Sequence, residues 1–221
     1  CYYYRAIWCN SCYSLIMAIA INGSGTITGI SVGGLPDGIV DTDMLAANAV
    51  SSGKLASGVG GKVLNYSDVT KSDTQTTLST SFTDITGLSV TLTPASSASK
   101  FLIMYSVFCA ASQNVYSTTI QLVKVVGGTA SDIHRGDASG NRGRVTAGHW
   151  SEYASYDQFN SAVLAGQVIH APSTTSAVTI KMQFRTNNHN YYSYINRMEA
   201  DGDDPTSGRA VSNIAVLELG A

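Results

Sequence analysis

The sequence predicts a mainly β protein: a C-terminal antiparallel β-sandwich of jelly-roll type, carried on a thin repetitive stem that needs identical neighbours. Three observations predict it. Charged residues make up 13% of the chain, about half the usual share, while 44% is hydrophobic. A low-charge chain rich in Gly, Ser and Thr is either disordered or all-β, and the aliphatic and β-branched runs of its second half decide for β. Residues 35–59 repeat every ten positions, a period that no single helix keeps on one face.

The first element is set apart by a break in composition at Met17. Residues 1–16 hold three of the four cysteines and four of the twelve tyrosines, yet no Gly, Asp, Glu or Thr. They are expected to be an extension upstream of a start at Met17, or else a separate anchoring tail. The apolar run Leu15 to Ile21 is too short to cross a bilayer, which takes roughly 20 apolar residues, and fits a signal peptide poorly. Cys9-x-x-Cys12 lacks the second pair that a structural zinc site requires.

Residues 17–34 form a candidate attachment segment. The repeat follows over 35–62, with Leu35, Val40, Leu45, Val50, Leu55 and Val59 alternating every five residues. One large apolar residue in five cannot be buried within one chain. Identical neighbours around an axis would bury the stripe once per chain, making Leu35, Leu45, Val50 and Leu55 candidate trimer contacts. A flexible Gly/Ser/Ala linker is the plainer alternative.

From residue 63 the pattern turns to strands separated by polar turns. Ser89 to Thr93 alternates and stops at Pro94; Ser117 to Val126 ends at Gly127-Gly128. His149 to Tyr156, Asn160 to Ile169, Val178 to Arg185, Tyr191 to Met198 and Ile214 to Leu219 complete the set. The run Lys100 to Ala111 is apolar on both faces, so both need cover. Phe101, Ile103, Tyr105 and Phe108 are therefore further trimer-seam candidates, and Cys109 within that run reads as a small buried hydrophobe.

A net charge of −2 with no large Lys/Arg cluster gives no electrostatic basis for binding nucleic acid. Arg135-Gly136-Asp137 lies in a loop where chance forms such a tripeptide easily, and reads as a surface turn. Asp201 to Asp204 is acidic enough to consider calcium but lacks the spaced ligands of an EF-hand. His134, His149, His170 and His189 are scattered, so only one meeting its copies on a trimer axis would bind metal. Glu152 and Asp157 have no flanking signature of a glycosidase pair, and no nucleophile elbow, phosphate loop or dinucleotide fingerprint occurs. No enzyme activity and no resident cofactor are expected.

Binding has better material, because sugars are held by aromatic faces and neutral hydrogen-bonding groups. Two segments offer both: one with Trp150, Tyr153 and Tyr156, the other with Asn187, Asn188, His189, Asn190 and Tyr192. Tyr191, Tyr192 and Tyr194 also alternate as a strand would, so part of this aromatic set is expected to be structural.

The opening MAIAINGSGTITGISVGGLPDG, the repeat IVDTDMLAANAVSSGKLA, the stretch STSFTDITGLSVTLTPASSASKFLIM, the strand APSTTSAVTIKMQF, the segment YINR and the closing SNIAVLEL together resemble the tail-fibre and receptor-binding proteins of tailed bacteriophages, notably marine and cyanobacterial ones. The resemblance covers Met17 to Ala221, and residues 1–16 depart from it. It implies an extracellular virion protein: a homotrimer docked to other virion proteins by its N-terminal segment, with a thin shaft and a head that meets bacterial surface polysaccharide without entering a membrane. Two alternatives stay open, a capsid-decorating head fibre and a glycan-degrading fibre tip.

Overall fold

The computed structural model describes residues 62–112, 117–150 and 157–220, with Val50 and Lys54. The chain divides into two units, Cys1–Leu55 and Ala56–Ala221, and all strands described belong to the second. The shaft positions Leu35, Leu45 and Leu55 lie outside the described residues, as do Tyr153 and Tyr156, while Val50 is exposed.

Among the described residues eleven strands form two antiparallel sheets. They are β1 (Val63–Lys71), β2 (Gln75–Thr77), β3 (Thr83–Leu92), β4 (Lys100–Ala111), β5 (Ser117–Val126), β6 (Thr129–Ile133), β7 (Ala147–Trp150), β8 (Ser161–His170), β9 (Val178–Thr186), β10 (Ser193–Ile195) and β11 (Ser212–Leu219). One sheet runs β1-β11-β4-β10-β2, with β8 on the other side of β4; the second runs β3-β9-β5-β6, with β7 sharing the outer edge of β5. The chain crosses between sheets at β2–β3, β3–β4, β4–β5, β7–β8, β8–β9 and β9–β10, the alternation expected of a jelly-roll-like sandwich. β5 and β6 form a hairpin over Gly127 and Gly128, whose φ values of 56° and 81° suit a two-residue turn that most side chains avoid.

Alternation sets the core. On β4, Phe101, Ile103, Tyr105, Val107 and Cys109 point inward with Ile214 and Val216 of β11; they meet Ile85, Leu88, Val90 and Leu92 of β3, Ile120 and Leu122 of β5, and Ile180, Met182 and Phe184 of β9. Each large side chain so buried contributes about 1.5–3 kcal/mol. This corrects the assignment of Phe101, Ile103 and Tyr105 as seam residues. They are buried against their own second sheet, and the cover they need comes from within the chain. Of the four strand candidates only Phe108 lies on the outer face, together with Leu102 and Met104, all three half-buried.

Tyr105 has a specific neighbour. It pairs directly with Gly166 of β8, and a Cβ placed on Gly166 would clash with the Tyr105 hydroxyl and ring. Glycine leaves the space into which the ring folds.

The strand expected over 191–198 contracts to Ser193–Ile195 because Asn196 turns the chain with φ of 61°. Asn196 is fully buried, and its side chain ties several strand ends together. Its Nδ2 donates to the carbonyls of Lys71 (2.8 Å) and Asp73 (2.9 Å). Its Oδ1 accepts from Ser212 Oγ at 2.6 Å, and its backbone N–H donates to Phe108 O at 3.0 Å.

Candidate functional site

Trp150 and the amide-rich segment at 187–192, far apart in sequence, meet at one end of the sandwich. Ser117, the first residue of β5, pairs with Trp150 on one side. On its other side its backbone N–H donates to Asn187 Oδ1 at 3.0 Å, while Asn187 N–H donates to Ser117 O at 3.3 Å. Trp150 and Asn187 therefore stand two strand spacings apart, about 10 Å. Trp150 is 59% exposed.

Within the turn after β9 the amides divide by role. The Asn187 side chain caps β5. Asn188 Oδ1 accepts from Asn190 N–H at 3.0 Å, and Thr186 Oγ1 bonds the backbone of Asn188. Such local bonds are what Asn and Thr supply in turns. His189 and Asn190 are left as the exposed tip. Of the five candidates in this segment, Asn187 and Asn188 build the turn, and His189, Asn190 and Tyr192 present themselves to solvent.

Tyr192 leads into a groove. Its backbone is fixed by Ser112, whose N–H donates to Tyr192 O (2.9 Å) and whose Oγ accepts from Tyr192 N–H (3.0 Å). Its ring, in a residue 43% exposed, lies 5.9 Å from that of Tyr194, and Tyr194 is buried with its hydroxyl 3.2 Å from Ser112 Oγ. The Arg197 guanidinium lies over the Tyr194 ring at 4.6 Å, a cation–π contact. Thr76 of β2, paired with Tyr194, completes an open groove of about 270 Å³ lined by Thr76, Tyr192, Tyr194 and Arg197. Asp201 takes Arg197 on one oxygen and Arg209 on the other, the latter at 2.7 Å. The groove thus offers an aromatic face, hydroxyls and a guanidinium held by a carboxylate that it shares with Arg209, groups able to stack on and hydrogen-bond a sugar ring.

Thr76 and Arg197 escaped the sequence reading. Thr76 sits on a three-residue strand, and its partner Tyr194 is 118 positions away, so no local period marks either. The segment YINR did contain Arg197.

The remaining candidates are placed as follows. Among the described residues no group of three or more His, Cys, Asp or Glu converges on a metal-sized site. Asp201 is engaged by arginines, and Asp204 accepts from Thr206 and Ser207, which hold its carboxyl below the usual range. Arg135 pairs with Asp132, so the Arg-Gly-Asp stretch is tied into its own loop. His149 and His170 are half-buried; in each Nε2 is buried without a hydrogen-bond partner, and burial pushes both pKa values down, with Lys124 adding to the effect at His170. His134 and His189 are exposed. Glu152 and the Asp157 side chain lie outside the described residues.

No protein-family model and no curated protein matches the chain. Among solved structures, that of the infectious bursal disease virus Gx strain is similar at a TM-score of 0.36 and 9% identity, over 71% of this chain and 37% of that one.

Proposed function

We propose that this protein is a non-enzymatic structural component of a virion surface fibre. It acts as a homotrimer whose sandwich head binds saccharide on a bacterial surface. The fibre and virion assignment rests on the sequence resemblance. The saccharide assignment is carried by the groove of Thr76, Tyr192, Tyr194 and Arg197, beside the exposed tip of His189 and Asn190. A sugar ring stacked on Tyr192 would place its hydroxyls toward Thr76 and the guanidinium. Three weak sites on one trimer raise avidity well beyond a single contact.

The test is saturation-transfer NMR of the full chain with glucose, galactose and N-acetylglucosamine, repeated on Tyr192→Ala. Stacking on one aromatic ring contributes about 0.5–1.5 kcal/mol, so the variant should bind about 2- to 13-fold more weakly with an unchanged circular dichroism spectrum. Equal binding by wild type and variant would remove the groove from the account. Release of oligosaccharides from host polysaccharide would overturn the non-enzymatic reading.

A further inference from the structure

The two outer faces of the sandwich differ in chemistry. The outer face of the β3-β9-β5 sheet is wet: Asp84 bonds Lys181 (2.8 Å) and Gln183 (2.6 Å), Gln183 accepts from Gln121 (2.8 Å), and Thr91 bonds Thr179 (2.8 Å). The outer face of the other sheet carries large apolar side chains on all four of its long strands, with Asp68, Lys100 and Gln167 among them. Register puts Tyr66, Leu217, Leu102 and Ile169 in one row, then Asp68, Ala215, Met104 and Gln167, with Phe108 opposite Val163 further along. Tyr66 is 68% exposed, Val163 58% and Ile169 60%.

The edges differ in the same sense. β1 carries a register shift at Val63/Asn65 and the charged Asp68, both devices that discourage edge pairing. Among the described residues β8 pairs only with β4, in unbroken register from Ser161 to His170, and its sequence SAVLAGQVIH has no Lys, Arg, Asp, Glu or Pro. A long, regular, apolar edge of that kind is one that sheet proteins keep covered.

We propose that the outer face of β1, β11, β4 and β8 is a self-association surface occupied by a second copy of this chain, and that it forms the subunit seam of the assembly. The inference rests on the homotrimer reading above and locates its interface. Four strands at about 4.8 Å spacing and about 25–30 Å in length give a face on the order of 500 Å² in projection. That is the upper range of what monomers leave open, and with side-chain relief it approaches the roughly 800 Å² that each partner contributes to a standard interface. Charge agrees with a like partner. Across these four strands the face carries one charge of each sign, Asp68 on the edge strand and Lys100 at the start of β4, so copies can pair them unlike to unlike. An anionic lipid surface would call for a basic rim, which this face lacks.

The test is light scattering of the full chain in reducing buffer, which keeps Cys1, Cys9 and Cys12 from cross-linking copies. Wild type should give a multiple of the 23.2 kDa chain mass, three by the reading above. Val163→Asp and Ile169→Asp should each weaken assembly about 100-fold or more, leaving monomers at micromolar concentration with a wild-type circular dichroism spectrum. Thr91→Lys, on the wet face, should leave assembly intact. Oligomers that persist in both Asp variants would overturn the seam while leaving the homotrimer standing. A monomeric wild type would overturn both, whether the leading segment or nothing covers the face. If the Asp variants do not fold, amide exchange of wild type above and below its assembly concentration decides: protection of residues 161–170 on assembly supports the seam, and none refutes it. Saccharide binding by the wild type is read separately and does not depend on this outcome.

Discussion

Replacing Asn196 by Ala should be among the most destabilising single changes in the sandwich. The substitution removes two donors to the carbonyls of Lys71 and Asp73 and one acceptor for Ser212 Oγ; the bonds to Lys71 and Ser212 are fully buried and that to Asp73 partly so. Leaving a buried polar group unpaired costs about 1–3 kcal/mol. Two such groups plus a partly hydrated third give about 3–5 kcal/mol. The backbone adds to this. At φ of 61° Ala is disfavoured by about 1 kcal/mol, whereas Asn tolerates the region. The sum, about 4–6 kcal/mol, is a large part of the 5–15 kcal/mol that holds a typical domain. For a unit of this size it corresponds to roughly 8–24 °C in melting temperature. Thermal and urea unfolding measure it, with Asn196→Gly as the companion variant. Gly loses the same hydrogen bonds without the backbone penalty, so it should be about 1 kcal/mol less damaging than Ala. An Ala variant within 1 kcal/mol of wild type, or a Gly variant no better than Ala, would refute the reasoning.

Gly166→Ala should cost about 1–3 kcal/mol, because its Cβ would enter the space of the Tyr105 ring, and combining it with Tyr105→Phe should recover part of the loss in chemical unfolding. Stability should fall on acidification below the ordinary histidine value of 6.5. The folded-state pKa values of His149 and His170 are depressed, so their contribution is complete above 6.5 and lost as the unfolded chain takes up protons that the fold resists. Melting temperatures between pH 7.5 and 5 should show this slope, and His149→Gln with His170→Gln should flatten it. At Asp84 burial, which pushes the carboxyl up, is outweighed by bonds from Lys181 and Gln183, so its contribution is lost only as pH falls through 3.8 and lower. Cys109 is buried with its thiol pushed up to about 12, so a thiol reagent should label it in the native protein only after unfolding, whatever the reactivity of the other cysteines.

The strands that could be read from the sequence are those whose alternation carries the core. The expected bounds of β4 and β5 match the structure, and β8, β9 and β11 shift by one or two residues. β1 was not legible because its inward residues, Ser67, Val69 and Lys71, include only one aliphatic side chain. β2 and β6 are short, and β6 is largely exposed, so neither imposes a hydrophobic period. For β4 the apolar character of both faces was visible, but not which face meets the second sheet. That depends on register with β11, and a slip of one residue exchanges the faces. The site was half legible. Trp150, His189, Asn190 and Tyr192 were marked by residue type, whereas Thr76 and Arg197 enter the groove through pairings that only the fold makes.

The groove also borders a closed excursion of the chain. After Asn196 the polypeptide leaves the sandwich and returns at Ala210, whose N–H donates to Asn196 O at 3.2 Å; Arg197 and Arg209 form an isolated bridge beside it. Inside, Asp201 joins both arginines and Asp204 folds the far turn onto Thr206 and Ser207. A bond leaves the excursion, from Ala200 N–H to Gln158 O at 2.9 Å, so the part beyond Asp201 is fastened from both sides and closed on itself. Its closure entropy grows by only about 0.6 kcal/mol for each doubling of length. Residues 202–208 can therefore vary in length and chemistry while the fastening at 196 and 210, the Ala200 bond and the Asp201 ion pairs keep the sandwich and its groove unchanged. The border of the groove is in this way set by a loop whose length is independent of the strands.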